Sequence, residues 1–135
     1  MKERRKFRRI RQAVTVKILP FNNPSQIIEG KVLDISAGGI GVCAKNELQK
    51  GDSLKLTFEI SEELKFIDVQ AVVHRVDASE NNFLAIKFVN LNKKDAKRIN
   101  EFIDKNHKKK DALFTSLLNI AAFYILCFMA VSLLL

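Results

Sequence analysis

The 135-residue sequence predicts a mainly β fold: a six-stranded antiparallel barrel, a C-terminal amphipathic helix that closes it, and then a single transmembrane helix. Three observations carry this reading. Apolar and polar residues alternate over several short runs, the apolar spacing becomes helical after residue 92, and the stretch from Ala112 to Leu135 carries no charge.

The strands come first. Val14, Val16 and Ile18 alternate with Thr15 and Lys17, and Leu54, Leu56, Phe58 and Ile60 alternate with Lys55, Thr57 and Glu59. A period of two places one face against a core and the other in water. Further strands are expected at 27–35, 40–45, 66–76 and 83–89, with breaks at Pro24, Gly38-Gly39, Gly51-Asp52 and Ser79 to Asn82. Six strands with short connections suit a closed barrel, because closure leaves no edge open to pair with another chain.

From 93 to 107 the pattern changes. Ala96, Ile99, Phe102 and Ile103 make one apolar stripe, Asn92 is placed to cap, and Asp95 falls in the first turn. The stripe is expected to dock on the barrel while Lys93, Lys94, Lys97 and Arg98 face outward. A basic linker, 107–111, then leads to the uncharged run. As a helix at about 1.5 Å per residue that run spans roughly 36 Å, against roughly 30 Å of bilayer hydrocarbon. Lys105, Lys108, Lys109 and Lys110 precede it, and positive residues stay on the cytoplasmic side. The expectation is a single-pass tail anchor, 112–135, in the inner (cytoplasmic) membrane, with the N-terminal domain in the cytoplasm. Asn119, the strongly polar residue within the span, is a group able to hydrogen-bond a second helix.

Charge is unevenly distributed within the net +8. Residues 1–11 carry +6, residues 12–92 carry −2, and residues 93–111 carry +4. Anionic lipid head groups account for the third segment, which adjoins the span. The first needs its own explanation. Cys43 and Cys127 fall in a strand and in the apolar run, so a disulfide is not expected, and two separated cysteines with the lone His74 and His107 make no metal-ligand pattern. No nucleophile with a neighbouring base can be assembled either, and Glu62-Glu63 reads as a solvated turn; an enzyme is not expected. The N-terminus lacks the apolar run of a secretory signal.

Two segments carry chemistry. Arg4-Arg5-Lys6-Phe7-Arg8-Arg9 precedes the first strand, and arginine's planar fork both grips phosphate bidentately and stacks on a base. Asp34-Ile35-Ser36-Ala37-Gly38-Gly39 joins two strands. Asp34 and Ser36, two apart, leave a strand on the same face, and the glycines allow a turn with close backbone approach.

Together these segments resemble the PilZ domain family, which has an RxxxR motif before its first strand and a D/N-x-S-x-x-G motif between its second and third. Arg5 and Arg9 match the first, preceded by Arg4, although Arg4 and Arg8 offer an alternative frame; Asp34, Ser36 and Gly39 match the second. The resemblance covers about residues 3 to 106. It implies a PilZ-type β-barrel over 12–106 with its closing helix, an arginine-rich ligand-binding arm over 1–11, and cyclic di-GMP as ligand, with no other cofactor. The arginines would grip phosphates and stack on guanine, and Asp34, Ser36 and Gly39 would contact the other face of the dinucleotide. The arm is expected to be loose when empty and ordered by ligand. The signal would pass to an unknown protein partner at or in the membrane.

Two other readings stand beside it. A membrane-anchored small barrel with a basic arm is also a form that binds nucleic acid, but the aromatic interleaving is poor, with one Tyr, no Trp, and most of the ten Phe in apolar runs or the tail. A ligand-independent adaptor of the same family would act through protein partners alone.

Overall fold

The computed structural model describes residues 10–79 and 82–134, so Arg4, Arg5 and Arg9 lie outside the described residues. The chain divides into two compact units, 1–103 and 104–135.

The first unit holds six strands: β1 (Ile10–Pro20), β2 (Ile28–Ser36), β3 (Gly39–Cys43), β4 (Ser53–Ser61), β5 (Leu64–Asp77) and β6 (Phe83–Phe88). They pair antiparallel in a closed barrel, in the order β1-β2-β3-β6-β5-β4. Period-two patterning sets the core. Val16, Ile18, Leu54, Leu56 and Leu84 are fully buried, and Phe58 stacks against both Phe66 and Phe88 inside. Each such side chain contributes roughly 1.5–3 kcal/mol relative to exposure.

The first strand begins earlier than the alternation suggests. Ile10 and Arg11, expected as the end of a loose arm, pair through their backbones with Ile35 and Asp34. A bulge between Arg11 and Val14 breaks the period there, which hides this pairing from a pattern-based reading.

The helix α1 runs over Lys93–Leu134. Asn92 caps it: its side-chain oxygen accepts from the Asp95 amide at 2.7 Å, and its carbonyl accepts from the Ala96 amide. In the first unit Ile99 and Ile103 are fully buried in the barrel core, with Phe102 packed beside them. Arg98 fixes this cover by donating to the Glu63 carbonyl in the β4–β5 turn, lying over the Phe66 ring and pairing with Asp95.

In the second unit, 104–134 is helical throughout. The segment 107–111, expected as a link, is itself helix, since it holds neither Gly nor Pro to stop one. Its apolar residues from Leu113 to Leu134 are exposed, and α1 is long and apolar enough to cross a membrane. The Ser132 hydroxyl donates to the Phe128 carbonyl at 2.9 Å, which satisfies it within the helix.

Candidate functional site

Asp34 and Ser36 flank Ile35 at the end of β2, and Ile35 points into the core. The two polar residues therefore share the opposite side of the strand, as their spacing implies. Their chemistry differs. A bulge between Val32 and Asp34 interrupts the ladder to β3, and the Gly41 amide donates to Asp34 Oδ1 at 3.1 Å. The carboxylate thus closes a break in the sheet while staying partly open to water.

Ser36 is 3% exposed, the sole buried polar side chain among the described residues. Its hydroxyl accepts from the Gly38 amide at 3.2 Å and donates to the Gly39 carbonyl at 3.4 Å. It staples the two-residue turn between β2 and β3. Gly39 is required by packing: a Cβ there would lie 2.1 Å from the Ile86 carbonyl oxygen on β6. The close backbone approach expected of this glycine is thus an approach of strand to strand.

The register fixes where β1 begins relative to the second sequence motif. Ile10 pairs with Ile35, between Asp34 and Ser36, so β1 starts alongside the β2 motif. Arg9 is the residue bonded to Ile10 and, with Arg4 and Arg5, falls outside the described residues.

The sequence reading missed Gly41, Phe83, Ala85 and Arg75. Gly41 pairs with Asp34 and with Ala85, and Ala85 pairs with Arg75. The Phe83 ring packs against Gly41, where a Cβ would meet it at 3.0 Å, and the Arg75 guanidinium lies over that ring, 5.6 Å from its centroid. Nothing local marks these residues, because β5 and β6 reach the motif only through barrel closure. A groove of about 580 Å³ on the same barrel is lined by Thr15, Gln26, Glu29, Lys31, Cys43 and Lys45 among others, and it contains no motif residue.

The PilZ domain family model matches residues 3–105. No curated protein matches the sequence. Several solved structures share the fold. The Bacillus subtilis inhibitor of motility, MotI/DgrA, is 26% identical with a TM-score of 0.65 over 80% of this chain and 53% of that one. Escherichia coli YcgR in complex with c-di-GMP is 17% identical with a TM-score of 0.71 over 85% of this chain and 51% of that one. The isolated PilZ domain of E. coli YcgR with c-di-GMP is 15% identical with a TM-score of 0.60, over 82% of this chain and 98% of that domain. The chain spans about half the length of MotI and of full-length YcgR. A six-stranded barrel with its closing helix, the Asp34-Ser36-Gly39 motif on it, and a family match over most of the chain's length lead to one conclusion: the chain belongs to the PilZ domain family.

Proposed function

We propose that this chain is a cyclic di-GMP receptor held at the cytoplasmic face of the inner membrane by its apolar helix, relaying second-messenger level to a partner there. The observation that carries the reading is the pairing of Ile10 with Ile35. It ties the strand that follows Arg4, Arg5 and Arg9 to the segment bearing Asp34, Ser36 and Gly39. A dianionic ligand with two flat bases is suited by planar cations on one side and a partly open carboxylate beside a glycine-rich strand on the other. Fold neighbours whose structures hold c-di-GMP support the choice of ligand.

The division of labour is an arm that precedes β1, a barrel with closing helix from Ile10 to 106, a basic helical link over 107–111 and a span over 112–135. Lys105, Lys108, Lys109 and Lys110 keep the barrel side cytoplasmic. Calorimetry of the full chain in detergent micelles tests the ligand, with GTP and a linear diguanylate as controls. Saturable binding of c-di-GMP alone is the expected result. Salt-sensitive binding of single-stranded RNA without c-di-GMP binding would instead favour a nucleic-acid function.

A further inference from the structure

Asn119 is the strongly polar residue of the uncharged run that begins at Ala112. At about 1.5 Å per residue its amide lies roughly 10 Å inside the run, about a third of the way through some 30 Å of hydrocarbon. So short a side chain reaches no head group from there. An amide carries two N–H donors and a carbonyl acceptor, and hydrocarbon offers a partner to neither. The helix satisfies a hydroxyl by itself, as Ser132 does by donating to the Phe128 carbonyl. Among the described residues, no hydrogen bond reaches the Asn119 side chain. In a membrane such a group is met by a second helix.

The faces of this helix differ. With 3.6 residues per turn, Ala112, Thr115, Ser116 and Ala122 fall within about 60° of Asn119 around the axis. Phe114, Leu117, Tyr124 and Phe128 fall on the opposite side, and all four are exposed. Small residues let a second backbone approach closely enough for a short amide to reach across, while bulky apolar ones suit lipid. Thr115 and Asn119 are four apart, as are Ala112 and Ser116, the spacing at which small residues line a helix contact. Deeper in the span the same face carries Phe123 and Leu126, so the closest approach is confined to the half that holds Asn119.

Resting on the reading of 112–135 as a membrane span, we propose that this face binds a second copy of the same chain, in a parallel two-fold pair whose Asn119 side chains hydrogen-bond to each other. Two features single out a second copy. An amide complements itself, because the N–H of one side chain meets the carbonyl of the other and the exchange is mutual. Lys105, Lys108, Lys109 and Lys110 insert every copy in the same direction, so residues of equal number lie at equal depth, and a two-fold contact sets Asn119 against Asn119. An unrelated helix would need a polar group of its own at that depth. Before the span, Lys105 and Lys108 continue the face and repel across the axis, where anionic head groups and salt screen them. The contact therefore belongs to the bilayer. Two barrels tied in this way stay at high local concentration, so a partner at the membrane surface meets two receptor domains together.

The test is energy transfer between full chains that carry a donor or an acceptor dye on the α-amino group, in vesicles of phosphatidylethanolamine and phosphatidylglycerol over a series of lipid dilutions. Transfer in the unaltered protein should exceed that of chance encounter and follow a dimer isotherm. Asn119→Leu should weaken association roughly threefold to thirtyfold. Leucine is the more apolar residue, so association lost in that variant is not insertion lost. Ala122→Ile, on the proposed face, should also weaken pairing, whereas Ala121→Ile, about 160° from Asn119 around the axis, should not. A chain that is monomeric at every dilution, or equal association of the unaltered protein and Asn119→Leu, overturns the pairing and leaves the span standing. Weakening by Ala121→Ile and not by Ala122→Ile overturns the face. Release of the unaltered chain from the vesicles by alkaline carbonate removes the span and the pairing with it. Binding of c-di-GMP, measured on the same vesicles, decides the receptor reading separately.

Discussion

The Gly41 amide donates to the Asp34 carboxylate across the bulge in β2, at 3.1 Å. This one bond gives Asp34 a task in the sheet that is separate from any task toward a ligand. Substitution can part the two. Asp34→Asn retains an acceptor for Gly41 and is expected to unfold near the unaltered midpoint while binding c-di-GMP more weakly. Asp34→Ala should lose binding and also about 1 kcal/mol or more of stability, read by denaturant unfolding.

Gly39 offers a contrasting case. A methyl group at 39 would strike the Ile86 carbonyl on β6, and backbone on both sides cannot yield as a flexible side chain can. Gly39→Ala should therefore cost about 1–3 kcal/mol by forcing β3 from β6. Loss of binding without a shift in the unfolding midpoint would show that the glycine acts on the ligand and not on the barrel.

Arg5→Ala and Arg9→Ala should behave in the opposite way. Both residues precede β1, and their proposed work is on phosphate, so calorimetry should show binding lost while thermal unfolding is unchanged. A lowered midpoint in either variant would assign that arginine to the fold.

Ile99→Ala tests the closing helix. Ile99 is fully buried against the barrel core, and its truncation should cost about 2–5 kcal/mol. Leu117→Ala, on the exposed apolar part of α1, should leave barrel unfolding as it was.

Membrane insertion makes a separate prediction. The full chain expressed in bacteria should stay with the membrane fraction through high salt and alkaline carbonate, and removal of 112–135 should release it. Extraction of the full chain by salt alone would mean that it is held by its lysines and not by a span.

Much of the molecule could be read from local sequence. The strand runs, the stripe of Ile99 and Ile103, the Asn92 cap and the uncharged run from Ala112 each follow from residues a few positions apart, where side-chain period and backbone preference act directly. The residue types of the two motifs were equally visible. What they touch was not. That Ser36 commits its hydroxyl to its own hairpin, that Gly39 is demanded by a carbonyl on β6, and that β1 extends to Ile10 are results of register between strands. The same holds for Arg75, which is joined to Asp34 through Gly41 and Ala85 only because closure in the order β1-β2-β3-β6-β5-β4 sets β6 beside β3 and β5 beside β6. Local period states which face of a strand is buried; which distant strand lies against it is decided by burying all six apolar faces at once in one closed barrel.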